Sequence, residues 1–146
     1  MKVWVICEGR INKNPEKELC NLYSERINSI KNSGISFFEI KQASKKEINN
    51  ILSKKNPQTT FIVLDEKGKM YSSINFAKKI QSYLKENIKN LYLFIGRPEG
   101  ISFNFQDVET ISLSNFTFSH SLTRVILCEQ FYRCATILTN HPYHKD

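Results

Sequence analysis

Residues 119–138 read as a helix without a polar face. Val125, Ile126, Leu127, Cys128, Phe131, Tyr132, Ala135, Ile137 and Leu138 fall on every side of its helical wheel. A helix of that kind cannot lie on a surface with one side in water; it has to be covered on several sides. Arg124, Glu129 and Arg133 interrupt it. Charges in a covered helix are costly unless they are paired or used. Glu129 and Arg133 are four apart and share a face, so they can pair. The helix runs into Asn140-His141-Pro142-Tyr143-His144, a polar aromatic tail holding two of the chain's three histidines. Two readings stand: a buried helix that delivers its end to a site, and a core helix with a tail of no consequence.

The rest of the chain must supply the cover. Residues 2–7, 35–40, 60–64, 91–95 and 110–113 are short, apolar and rich in β-branched or aromatic types, and read as strands. Residues 60–64 and 91–95 are apolar on both faces, as central strands are. Helices fall between them. Pro15 opens the first, with Glu16 and Glu18 in its first turn and Gly34 as its stop. Ser44 and Glu47 form a capping box for a helix over 44–54. Ser72 or Ser73 caps a third helix, with Ile74, Phe76, Ala77, Ile80 and Leu84 inward. Residues 65–69 read as a turn, and Ser102 as the cap of a short segment. This alternation predicts one domain over 1–146, α/β in class, with a mainly parallel sheet and helices on both faces.

At 146 residues the chain is long enough for a substantial core. No apolar run reaches the roughly 20 residues needed to cross a bilayer. The opening MKVWVICEGR is too charged for a secretion signal, so a cytoplasmic location is expected. Four cysteines without CxxC spacing predict buried thiols and neither disulfides nor zinc. His141 and His144 are three apart with no third ligand near them, so no metal is expected. A net charge of +7 suits a polyanionic partner.

In sheets of this class ligands sit beyond the carboxyl ends of the strands, which here fall at Leu64, Gly96 and Leu113. The loop Gly96-Arg97-Pro98-Glu99-Gly100 is neither a Walker loop nor a GxGxxG fingerprint. On spacing alone it reads as a tight turn.

Several stretches taken together are more specific. They are Ile95-Gly96-Arg97-Pro98-Glu99-Gly100, Phe116-Thr117-Phe118-Ser119-His120, Arg124-Val125, Glu129-Gln130-Phe131-Tyr132-Arg133-Cys134 and Asn140-His141-Pro142-Tyr143-His144-Lys145. With them the chain resembles, over essentially its whole length, the RlmH family of SPOUT methyltransferases. The resemblance implies a C-terminal trefoil knot, a homodimer, and methyl transfer from S-adenosylmethionine to N3 of a pseudouridine in large-subunit ribosomal RNA. The expected substrate is the assembled ribosome. It implies a cofactor pocket at Leu64, Gly96, Leu113, Ser114, Asn115, Phe116, Thr117 and Phe118. It implies a catalytic set drawn from Arg133, Tyr143, His144 and His141, with His120 bracing the knot. In that set His141 or His144 could serve as base, Arg133 could instead stabilise an imide anion or bind phosphate, and Tyr143 could stack on the substrate base.

Two positions depart from the family pattern. Arg97 stands where glycine is usual, and Ser119 where proline is usual before the histidine. If position 97 requires φ > 0, arginine is strained there, and Arg97→Gly should tighten cofactor binding. The competing reading is a non-catalytic ribosome- or RNA-binding dimer whose cofactor pocket is compromised by Arg97.

Overall fold

The structure is a computed structural model that describes residues 1–145. Asp146, the last residue of the expected tail, lies outside the described residues. The elements run β1 (Lys2–Glu8), α1 (Pro15–Ser29), β2 (Phe37–Ala43), α2 (Lys45–Ser53), β3 (Thr59–Met70), α3 (Ser73–Lys85), β4 (Asn90–Ile95), β5 (Glu109–Ser112) and α4 (His120–Leu138). The five strands form one parallel sheet in the order β2-β1-β4-β3-β5.

Alternation along each central strand divides the core. Val3, Val5, Cys7, Leu91, Leu93 and Ile95 face the side covered by α1, α3 and α4. Ile6 and Phe94 face the other side, where α2 and the segment carrying Phe103 lie. The all-round apolar helix α4 is thus buried against α1 and α3 as well as against the sheet. Phe131 is fully buried, with ring centroids 5.3 Å from Phe38 and 5.2 Å from Phe76. Burial of one such ring stabilises by about 1.5–3 kcal/mol.

The helix starts follow their caps. Asn14, Ser44, Ser72 and Ser119 each accept from a backbone N–H in the first turn, and Ser44 with Glu47 closes both halves of a capping box. All four cysteines are free and buried. Burial pushes the thiols of Cys7 and Cys134 up to about 12.

Four readings of the sequence need correction. Helix α1 ends at Ser29, five residues before Gly34. Gly34, at φ +85°, is needed where the chain passes the Leu84 side chain. The second strand starts at Phe37 and runs on to Ala43. Residues 65–69 are not a turn but a bulged continuation of β3. The strand pairs with β5 up to Leu64–Ile111, slips, and pairs again at Lys69–Ile111. Gly68 permits this, because a Cβ there would lie 2.5 Å from the backbone carbon of Ile111. Finally, Ser102 caps no helix; it binds Glu8.

Candidate functional site

The carboxyl ends of β4 and β5, with the bulge of β3, open into a cavity of about 630 Å³. Such a volume suits a ligand of cofactor size. Leu64, Gly96, Leu113, Ser114, Phe116, Thr117 and Phe118 line it, together with Ile95, Ile101 and Phe105. Seven of the eight residues expected there are therefore brought together, and Asn115 is not among the lining residues. Gly96 is a close approach: a Cβ on it would meet Ile101 Cγ1 at 2.6 Å and Ile101 Cα at 3.0 Å. His120, at the start of α4, also lines the cavity. Burial pushes its imidazole below the usual range, and the Arg124 charge adds to the shift. Its Nε2 is buried without a partner among the described residues.

The cavity rim is tied down by a buried acid. Glu8, at the end of β1, is fully buried and accepts from the Ser102 hydroxyl and from the Ser102 N–H at 3.3 Å. Arg97 Nε lies 3.5 Å from the same carboxylate. Between them, Gly100 N–H donates to the Arg97 carbonyl at 2.9 Å and closes the loop. Arg97 is not among the residues of positive φ, so the strain considered for it is absent; in this loop only Gly100 is left-handed, at φ +120°. Arg97 is better described as the counter-charge of Glu8 than as an obstruction. Relief of strain is therefore no ground for Arg97→Gly to tighten cofactor binding. The substitution should leave Glu8 buried without its cation and destabilise the chain by about 1–3 kcal/mol. Adding Glu8→Gln should recover part of that loss in chemical denaturation. Equal losses for the single and double variants would show that the two side chains do not couple.

A second constellation lies at the other end of α4. Arg133 grips Glu129 Oε1 through Nε at 3.1 Å and Nη2 at 2.5 Å, the pair that the four-residue spacing predicts. Tyr143 returns from the tail, donates its hydroxyl to Glu129 at 3.1 Å, and sets its ring edge-on to Tyr132 at 4.6 Å. The Arg133 guanidinium sits 5.0 Å from the Tyr143 ring centroid. Burial, then the Glu129 carboxylate, push the Tyr143 phenol up to about 12. Arg133 Nη1 is 3.1 Å from His144 Nδ1. A guanidinium only donates, so Nδ1 is the acceptor, and a neutral His144 carries its proton on Nε2. His141 Nδ1 likewise accepts from the Tyr143 N–H at 3.3 Å. The tail enters this cluster through Asn140, at φ +56°, with His141 N–H on the Thr136 carbonyl at 2.9 Å.

The two constellations do not meet within one chain. Arg133 is thirteen residues along α4 from His120, which at 1.5 Å per residue is about 20 Å.

With the geometry described, comparison with known proteins is decisive. The family model described as "Predicted SPOUT methyltransferase" matches residues 1–144. The chain belongs to this family. It is 36% identical over 160 residues, 99% of each chain, to a protein of Christiangramia forsetii. It is 43% identical over 101 residues to one of Francisella tularensis subsp. novicida, covering 68% of this chain and 64% of that one. It is 28% identical to one of Allorhizobium ampelinum over the full length of both. Each of the three is named ribosomal RNA large subunit methyltransferase H. Among the described residues of this SPOUT methyltransferase no three or more His, Cys, Asp or Glu side chains group as metal ligands. No described helix is long and apolar enough to cross a membrane.

Proposed function

We propose that this chain methylates N3 of a pseudouridine in large-subunit ribosomal RNA, in the assembled ribosome, using S-adenosylmethionine. In this reading it acts as a single knotted domain and as a homodimer in the cytoplasm. The observation that carries the proposal is the cavity at the ends of β4 and β5 and the bulge of β3, in a chain matched end to end by methyltransferases of ribosomal RNA. Its residues suit the cofactor. Leu64, Ile95, Leu113 and Phe105 offer apolar walls for an adenine, Gly96 leaves room for backbone to approach, and His120 Nε2 is a buried polar atom awaiting a partner.

When bound, the cofactor supplies an electrophilic methyl group on a sulfonium centre. The chain has to hold the pseudouridine nitrogen in line with that methyl and accommodate loss of the weakly acidic imide proton. Alignment at near-contact distance is the larger part of the catalysis. Arg133, fixed by Glu129, is the group that stabilises the imide anion. Tyr143 stays protonated near neutrality, so it acts as a donor or a stacking surface and not as a base. In their neutral forms, with each Nδ1 already accepting, His144 and His141 present Nε2–H groups. They therefore orient the base, and the imide proton leaves to water.

The 20 Å gap supports the homodimer. A cluster at the far end of α4 serves a cavity only if that cavity belongs to a second copy. Phe116 at 81% exposure, Met70 at 51% and Leu122 at 43% supply apolar surface for such an interface. Sedimentation at micromolar concentration should give a dimer, and mass spectrometry of large-subunit RNA from cells with and without this protein should differ by one methyl on a pseudouridine. A stable monomer would remove the composite site, and identical RNA masses would leave only a binding role.

A further inference from the structure

We propose that the loop after β1 is a grip for the phosphodiester backbone of RNA, beside the cavity. This rests on the reading of the chain as a ribosomal RNA methyltransferase. A depression at the ends of β1 and β2 has Arg10, Lys13, Lys17 and Lys41 in its lining and no carboxylate. None of these four forms an ion pair among the described residues. Beneath them is a fifth cation. Arg124 is 7% exposed, its Nη2 donates to the Arg10 carbonyl at 3.5 Å, and its Nε has no partner among the described residues. The nearby acids leave the excess standing. Glu16 lines a small adjoining hollow with Lys17 and Arg124, and Glu8 is occupied by Ser102 and Arg97.

Clustered like charges raise the energy of the free protein. A polyanion removes that cost and releases its own counterions. The loop is also held in place, as a phosphate grip must be. Gly9, at φ +86°, donates its N–H to the Ala43 carbonyl at 3.1 Å, and the Ile11 N–H donates to Gln42 Oε1 at 3.0 Å. Lys41 is partly engaged, with its ammonium 4.9 Å from the Trp4 ring centroid, so Arg10, Lys13 and Lys17 are the free contacts. Position supplies the rest. Glu8 joins the end of β1 to the cavity rim through Arg97, which is half exposed and lines the cavity, and Arg10 follows Glu8 by two residues. An RNA strand seated on this loop would run past Arg97 towards the cavity.

The test compares Arg10→Gln/Lys13→Gln/Lys17→Gln with Lys45→Gln/Lys46→Gln/Lys55→Gln, which loses the same charge elsewhere. Binding is measured to ribosomes and to protein-free large-subunit RNA across a salt series. Between 1 M and 0.1 M salt each duplex phosphate contact is worth about eight-fold in affinity. The loop variant should bind both RNA forms at least about tenfold more weakly at 0.1 M salt. Its salt slope should be shallower by about 2–3. KM for ribosomes should rise, with kcat at saturation and S-adenosylmethionine affinity unchanged. Equal losses in the two triple variants would overturn the proposal. So would a loss on ribosomes that is absent on protein-free RNA, since the partner would then be a protein. If the unaltered chain binds RNA through this loop but methylates nothing, the grip stands and the proposed reaction falls.

Discussion

Gly96→Val is expected to abolish binding of S-adenosylmethionine while leaving the chain folded. A Cβ at position 96 would lie 2.6 Å from Ile101 Cγ1 and 3.0 Å from Ile101 Cα. Two further methyl groups add to the conflict. Gly96 follows β4 directly, and β4 is paired on both sides, so position 96 cannot retreat. Ile101 must yield, and Ile101 lines the cavity. The rim between Arg97 and Ser102 is moored to Glu8, which leaves it little freedom to swing outward. The displaced side chain therefore fills the space proposed for the cofactor. Overpacking of this kind costs about 1–3 kcal/mol of stability, which a core of this size absorbs. Titration calorimetry should show affinity reduced at least about 100-fold, or about 2.7 kcal/mol. Gly96→Ala, with the first contact alone, should fall between. Unchanged affinity in the valine variant would place the cofactor elsewhere.

The sequence made the class of fold plain because local signals agreed with one another. The Ser44–Glu47 box and Ser72 mark helix starts by the same hydrogen bonds that the structure contains, and Pro15 takes the first helical position, where its missing N–H costs nothing. What it concealed depended on partners far away along the chain. Ser102 carries the signature of a helix cap, and the same hydroxyl serves equally well for a buried carboxylate 94 residues earlier. Residues 65–69 are as polar as a turn, yet β5 pairs with them because Gly68 lets two backbones touch. Arg97 looked like a defect in a glycine loop for the same reason: its explanation is Glu8, and no local pattern links the two. The separation of Arg133 from the cavity is different in kind: it follows from thirteen residues of one helix, and only the proposed partner subunit gives it meaning.

Removing the tail after Thr139 should lower turnover far more than cofactor affinity. Tyr143 stacks edge-on to Tyr132 and bonds Glu129, and His144 touches Arg133. The tail is thus packed onto α4, and its loss is not free. The ring contact is worth about 0.5–1.5 kcal/mol and the hydroxyl bond about 1 kcal/mol. At about 2–4 °C per kcal/mol for a domain of this size, Tm should fall by roughly 3–10 °C. Arg133 would remain, still paired with Glu129, but without the groups that fix its outer face. An interaction needed only as the imide proton leaves acts on kcat and spares binding. A drop of at least about 100-fold, near 2.7 kcal/mol of barrier, is expected on ribosomes carrying the unmethylated pseudouridine. Affinity for S-adenosylmethionine should stay within about twofold, because no tail residue lines the cavity. Tyr143→Phe separates the two contributions: it keeps the ring on Tyr132, loses the bond to Glu129, and should recover most of the stability but not the rate. Equal methylation by the truncated and full chains would take the tail out of the reaction. Loss of the dimer on truncation would instead assign the tail to assembly.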